Sequence, residues 1–378
     1  MVTFFKPEQT FLTGSKTLSG EHYRSPEIFA REIEQIFTRS WFCAGHVSRI
    51  PNAGDYFVLD AYGESIFILR DQNREIRAFY NVCRHRGTHM CEEAEGKFSK
   101  TIQCPYHAWT YSLDGKLIGA PLMKDVADFN KDEYPLHAIN LRVWQGFIFL
   151  NLDGSSEPFE NVFEPLLNKF GGWNLPVLKS ARRIIYDVKA NWKFIFQNYN
   201  ECYHCPPVHP QLAKISPSNS GENDLIAGPF IGGFMSIEGA SSLTLSGNVC
   251  AAPVGELSEE DHQRVYYYSF SPNLLLSLHP DYVMFHTIWP QSPAQSIIHC
   301  EWLFHPDSFG RADFHPEDGV EFWDITNRQD WHMCELSQLG VSSRAYQPGP
   351  YSPREALPAA FDKHYLQVMT SATLVTSD

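Results

Sequence analysis

The chain has 378 residues, 43% hydrophobic and 14% aromatic, too many for one ordinary core but suited to two domains of about 100 to 250 residues. A formal net charge of −14 argues against nucleic acid or an anionic membrane surface as partner, since both favour basic faces. Nine cysteines are an odd number in a chain long enough to need no disulfides, which fits a reducing compartment.

The opening residues, MVTFFKPEQT, carry no basic region followed by an apolar run and a small-residue cleavage site. Later apolar runs are strand-sized. A cytoplasmic protein that spans no membrane is the expectation. Ser25-Pro26-Glu27 offers a capping hydroxyl, a proline at the first helical position and an acid. Ile28, Phe29, Ile33, Ile36 and Phe37 follow at helical spacing, which predicts a helix to about Arg39. From Trp41 to about Asp153 the texture changes to short β-like runs: Tyr56 to Leu59, Ser65 to Leu69, Ile76 to Tyr80 and Val143 to Leu150. Gly54, Gly63, Gly87, Gly96 and Gly115 punctuate them, as in a small antiparallel domain.

Gly154-Ser155-Ser156 marks a boundary. It divides the chain into an N-terminal helical segment (1–40) packing on the last domain, a β domain (41–153) and that last domain (154–378). There a strand over Arg183 to Val188 leads into a helix from about Asn191 to His204. Apolar β runs cover Val265 to Phe270, Leu274 to Leu278, Val283 to Trp289 and Ser296 to Phe304. A long helix is predicted from about Asp318 to Leu339, and Pro353-Arg354-Glu355 starts another. Ser216 to Pro253, rich in Gly and Ser, reads as loops over a site.

Two constellations carry chemistry. Cys83-Arg84-His85 is followed, after eighteen residues, by Cys104-Pro105-Tyr106-His107. Each half pairs a soft thiolate with an imidazole. A Rieske cluster needs that split, two Cys on one iron and two His on the other, and the neutral imidazoles raise its potential. Structural zinc also takes Cys2His2, although zinc fingers pair Cys with Cys and His with His. His89 and Cys91 fall off the pattern and read as packing or surface residues. In the second constellation, Trp192, Ile195, Phe196 and Tyr199 recur at helical spacing, so Glu201 and His204 are expected one turn apart on one helix face. Pro206 and Pro207 would end that helix and bring His209 back beside His204. Two His and one carboxylate on one face of an octahedron leave open positions for O2 and substrate; a lone His here would more simply be a core residue.

With the flanks Arg86-Gly87 and Cys-Pro-Tyr-His-Ala-Trp-Thr-Tyr (Cys104 to Tyr111), the first constellation resembles the Rieske domain of the ring-hydroxylating oxygenases. Ala108 stands where that family commonly has glycine and is expected to be tolerated. Asn198, Glu201, His204 and His209 meet the family's second spacing. The resemblance implies a [2Fe-2S] cluster on Cys83, His85, Cys104 and His107. It also implies mononuclear Fe(II) on His204, His209 and an acid of the long helix. Asp330 fits, with Glu335 and Gln338 downstream at the family's spacing; Asp324 is the second choice, and a solvated helix acid the plain alternative for either.

Family members usually carry Asp where this chain has Glu201. There it bridges the Rieske histidine of a neighbouring subunit to the iron ligand; the simpler role is to orient His204. The glutamate, with Gln197 to Cys205, Ser277 to Val283 and Phe322-Trp323-Asp324, resembles the subgroup acting on glycine betaine, proline betaine and carnitine. The implied fold is α+β: an N-terminal all-β Rieske domain and a C-terminal helix-grip domain, an antiparallel sheet around a long helix. The implied assembly is a homotrimer, fed by a separate flavin and [2Fe-2S] reductase using NAD(P)H. The implied reaction hydroxylates an N-methyl group with O2 and releases formaldehyde. A quaternary ammonium needs an aromatic cage, for which Phe230, Phe234, Tyr282, Phe285 and Trp289 are candidates, though each is otherwise a core residue. Competing readings are an oxygenase of aromatic rings, a choline or carnitine monooxygenase, and a Rieske electron carrier with an unrelated second domain.

Overall fold

A computed structural model describes residues 2–375. They form two compact units: Thr38–Val162, and the chain on either side of it, through Phe37 and from Phe163. Among the described residues no helix is long and apolar enough to cross a membrane.

The Thr38–Val162 unit is a stack of short antiparallel sheets. Its strands are β1 (Phe42–His46), β2 (Asp55–Ala61), β3 (Glu64–Arg70), β4 (Ile76–Tyr80), β5 (Glu95–Lys97), β6 (Thr101–Gln103), β7 (Thr110–Ser112), β8 (Leu117–Gly119), β9 (Asn140–Trp144) and β10 (Phe147–Asn151). They pair in the orders β1-β10-β9, β4-β3-β2-β5 and β6-β7-β8. Phe67, Leu69, Ile102, Trp109 and Tyr111 close a core that also buries Cys83, Cys91 and Cys104. Cys91 is held there by its backbone N–H on Asn81 Oδ1 (2.9 Å), while His89 is exposed. This unit continues past Gly154 to Val162.

The second unit is built on one antiparallel sheet. Its strands are β11 (Lys179–Val188), β12 (Glu222–Ala227), β13 (Phe230–Ser236), β14 (Arg264–Phe270), β15 (Leu274–Leu278), β16 (Val283–Ser292) and β17 (Gln295–Phe304), in the order β11-β17-β16-β15-β14-β13-β12. The helices that matter are α1 (Pro26–Glu32), α2 (Trp192–Tyr199), α3 (Cys205–Val208), α4 (Pro210–Ile215), α5 (Pro316–Val341) and α6 (Ala356–Val375). Ser25 caps α1 through Ile28 N–H (3.2 Å), and α1 runs on into a wide turn, Ile33–Phe37. Glu32, fully buried, accepts from Lys193 Nζ (2.6 Å), Trp192 Nε1 (2.9 Å) and Tyr365 OH (2.6 Å), which ties α1, α2 and α6 together. Losing one partner of such a buried pair costs about 3–5 kcal/mol.

The long helix α5 lies in the grip of the sheet. Trp323 Nε1 donates to Tyr282 OH (2.7 Å), Tyr186 OH donates to Asp324 Oδ1 (2.7 Å), and Asn327 Nδ2 reaches Cys300 Sγ (3.7 Å). Its C-terminal half clasps the chain entering α2. Glu335 accepts from Lys189 N–H (3.0 Å) and Gln338 from Asn191 N–H (2.9 Å).

Three expectations are corrected. Within Ser216 to Pro253, the remainder of which is irregular, the stretch Glu222 to Ser236 is a β-hairpin, β12 and β13, rather than loop. Its glycines turn the chain at Gly228 (φ +80°) and admit close backbone packing. A Cβ on Gly233 would collide with Glu222 O, and one on Gly232 with Tyr267 O. The helix expected to reach His204 stops at Tyr199. Finally, Cys202 and Cys205 are joined as a disulfide, because the turn after α2 brings their Cα atoms to 4.9 Å.

Candidate metal centres and cavity

In the smaller unit two loops repeat one backbone pattern. Gly87 N–H donates to Cys83 O (3.0 Å) and Cys83 N–H to Thr88 O (2.8 Å). Likewise Ala108 N–H donates to Cys104 O (3.1 Å) and Cys104 N–H to Trp109 O (2.8 Å). Both turns close through a left-handed residue, Gly87 at φ +76° and Ala108 at φ +56°. Alanine therefore fills a site that favours glycine, at a cost of about 1–2 kcal/mol.

The loops present His85 and His107 with ring centroids 4.6 Å apart, His85 stacked on Trp109 at 4.8 Å. Tyr111 OH lies 3.7 Å from Cys83 Sγ and accepts from Arg84 N–H (3.3 Å). Burial raises the Cys83 thiol, with Cys104 among its partners. Thiolates bind iron and thiols do not, so a metal charge would draw the proton off Cys83 on binding. His85 Nδ1 is buried without a partner. An orphaned imidazole nitrogen beside two soft sulfurs is the donor set that a Rieske [2Fe-2S] cluster requires.

The second centre forms where α2 gives way to a turn. Glu201 accepts backbone N–H groups from Tyr203 and, at 3.2 Å, from His204. Such local side-chain bonds compete with a continuing helix, and the chain leaves helical geometry after Tyr199. Glu201 and His204 are thus brought together by a turn rather than by a helix face. Pro206 and Pro207 sit in the first turn of α3, where proline is tolerated, and start that helix instead of ending α2.

The turn places His204 Nε2 3.2 Å and His209 Nε2 2.7 Å from Asp330 Oδ1. Among the described residues, His204, His209 and Asp330 form the metal-capable group, their donor atoms all within 4.8 Å of one another. The outward nitrogens are occupied as well. His204 Nδ1 faces Glu201 Oε1 at 2.5 Å, and His209 Nδ1 faces Gln329 Oε1 at 2.7 Å. These contacts leave both Nε2 lone pairs for a metal, the usual arrangement for His ligands. Burial opposes charge on His204, but Asp330 and Glu201 on its two nitrogens outweigh it and push its pKa up to about 10. Burial likewise opposes a charged Asp330, and the two imidazoles hold it below the usual carboxylate range. A divalent cation would replace the shared protons with no change in the donor atoms. Asp324 is committed elsewhere, to Tyr186 OH and to Arg328 Nε (2.9 Å).

A cavity of about 140 Å3 opens on this group, walled by Tyr199, Phe234, Tyr267, Trp323 and Trp331. It is small beside the roughly 300–1,000 Å3 of drug-sized sites. Of the aromatics singled out in the sequence, Phe234 reaches the wall; Phe230, Tyr282, Phe285 and Trp289 are buried in the core instead. Tyr267 is not distinguished by sequence, because three consecutive tyrosines, 266–268, hide the strand's parity. The register Tyr267↔Ser277↔Met284 settles which face it takes. His286, also on the wall, had no motif to mark it; burial pushes its imidazole down to about 4, so the ring is neutral.

Residues 176–371 match the model of the ring hydroxylating alpha subunit (catalytic domain), and residues 40–130 that of the Rieske [2Fe-2S] domain. The chain is 30% identical over 372 residues to the glycine betaine monooxygenase oxygenase subunit of Chromohalobacter salexigens, covering 90% of this chain and 82% of that one. It is 40% identical over 196 residues to the carnitine monooxygenase oxygenase subunit of Escherichia coli K12, covering 51% of this chain and 52% of that one. Among solved structures it resembles a quaternary ammonium Rieske monooxygenase described in terms of carnitine oxidation and inter-subunit electron transfer. The TM-score is 0.78 at 25% identity, over 98% of this chain and all of that one.

Proposed function

The chain belongs to the ring-hydroxylating oxygenase alpha subunits, with a Rieske [2Fe-2S] domain ahead of a mononuclear-iron catalytic domain, and from that premise we propose that it is the oxygenase subunit of a monooxygenase acting on an N-methyl group of a glycine betaine-like quaternary ammonium compound. The observation that carries this reading is a small cavity with aromatic walls and a His-His-Asp group in one of them. A quaternary ammonium has no N–H to donate, so ring faces are its natural recognition surface. The relatives named for glycine betaine and carnitine support the same substrate class.

In this reading Cys83 and Cys104 hold one iron of the cluster and His85 and His107 the other, while His204, His209 and Asp330 hold the mononuclear iron. When bound, the cluster hands on single electrons and the mononuclear iron activates O2. Tyr199, Phe234, Tyr267, Trp323 and Trp331 exclude water and direct an N-methyl group toward the His204 and His209 end. Glu201 and Gln329 fix the tautomers of the two histidines. Overall, O2, two electrons and two protons convert the N-methyl group to N-hydroxymethyl and water. The hydroxyl of that N-hydroxymethyl ammonium then gives up its proton as the C–N bond breaks, the electron pair staying on nitrogen, to give formaldehyde and the demethylated amine.

Electrons come from a separate reductase with flavin and [2Fe-2S], using NAD(P)H, and we take the enzyme to be cytoplasmic. We take the assembly to be a homotrimer in which the cluster of one subunit serves the iron of the next. Glu201 then lies between the neighbour's cluster histidine and His204. Formaldehyde assay tests the function: iron-replete protein, a ferredoxin reductase system, NADH and O2 are supplied with glycine betaine. Formaldehyde released in step with betaine loss is the expected result. Oxygen uptake with aromatic acids and no formaldehyde from any methylammonium compound would overturn the proposal.

A further inference from the structure

His286 stands apart among the residues around the cavity. It lies on β16, two residues from Met284 and therefore on the same side of the sheet, and both line the cavity. It is 1% exposed, yet neither ring nitrogen has a hydrogen-bond partner. The rings of Tyr199 and Trp331 meet it edge-on, at 6.4 and 5.9 Å. Asn327 is its polar neighbour and partly offsets the effect of burial on the ring, but no contact between them meets hydrogen-bonding geometry, and Asn327 turns its Nδ2 to Tyr186 OH (3.4 Å) and Cys300 Sγ (3.7 Å). Native interiors hold few polar groups left in this state. His279 is a second one, but it is sealed under Tyr282 (4.1 Å, stacked) and Trp323 (5.4 Å) and does not reach the cavity wall. An unpartnered side chain at a cavity wall has a different meaning, because a ligand can supply the missing bond.

The ammonium end of the substrate cannot supply it, having neither a donor nor an acceptor. The polar end must. Arg354, the one Lys or Arg among the lining residues, already faces Glu8 at 3.9 Å. Resting on the ammonium reading above, we propose that His286 is a specificity residue whose ring N–H donates a hydrogen bond to the carboxylate of a zwitterionic betaine. An uncharged ring suits this task, since it binds the carboxylate without setting a cation against the nearby ammonium. The enzyme then selects methylammonium carboxylates over methylammonium compounds that lack the carboxylate.

Calorimetric titration of the resting, fully loaded enzyme without O2 tests this, with glycine betaine and tetramethylammonium as the two probes. His286→Leu should weaken glycine betaine about 10- to 100-fold, the worth of one hydrogen bond to a charged group, and leave tetramethylammonium binding unchanged. His286→Gln, which keeps an N–H donor, should recover part of the loss. The melting temperature of the substrate-free Leu variant should hold or rise, since no internal hydrogen bond is removed. Equal weakening of both probes, no weakening of either, or a clear fall in melting temperature would assign His286 to the core and overturn the proposal. If the unmodified enzyme binds neither probe, the ammonium reading itself fails and takes this one with it.

Discussion

The two loops proposed to hold the cluster and the His204, His209 and Asp330 group proposed to hold iron are assembled by different routes. Each cluster half closes within six residues by bonds between neighbours, Gly87 to Cys83 and Cys83 to Thr88 in one, Ala108 to Cys104 and Cys104 to Trp109 in the other. The triad takes two imidazoles from a turn and its carboxylate from Asp330, 121 residues beyond His209. What registers them is the clasp of α5 on the start of α2, through Glu335 and Gln338. A centre made of tight turns inherits its geometry from local backbone. A centre assembled across elements depends on every contact that sets their offset.

That contrast can be broken most severely at Asp330. Asp330→Ala should lose the mononuclear iron and lower turnover by more than about 100-fold, while the visible absorption of the cluster persists. Asp324→Ala should keep its iron. Metal analysis beside the visible spectrum checks both, and the reverse outcome would move the carboxylate ligand to Asp324. On the other side, His85→Cys should leave a folded protein and intact mononuclear iron but lower the cluster potential by more than about 100 mV, because a further thiolate adds charge to that iron. Redox titration reads this, and an unchanged potential would remove His85 from the ligand set.

The clasp gives a subtler test. Gln338→Ala leaves the buried Asn191 N–H without an acceptor, at about 1–3 kcal/mol. Denaturant unfolding should show that loss, and iron should dissociate faster from the triad while the cluster spectrum stays as it was. Equal bleaching of the cluster would mean that the two centres are not independently supported. The smallest effect concerns the paired turns. Ala108→Gly should stabilise by at most about 1 kcal/mol, relief of left-handed strain being partly offset by a more flexible unfolded chain, and Gly87→Ala should destabilise by about that amount. The temperature at which the cluster bleaches should rise in the first variant and fall in the second.

Much of this was legible in residue spacing. Cys83, His85, Cys104 and His107 are each defined by neighbours within a few positions, and so are Glu201, His204 and His209, although Glu201 and His204 lie on a turn where the spacing predicts a helix. The long helix and five of the sheet strands also follow from the sequence pattern. The hairpin of β12 and β13 did not, because its glycines look like loop punctuation until the opposing strands show that a Cβ would not fit. Choosing Asp330 from its helix by geometry required knowing which face α5 turns to the turn after α2, and the disulfide required the course of that turn. Finding Tyr267 and His286 on the cavity wall required the sheet register. Short-range hydrogen bonding is written in consecutive residues, and local sequence alone determined the donor motifs. Distant side chains meet only when whole elements pack, so the carboxylate, the aromatic walls and the orphaned imidazole were decided by tertiary structure.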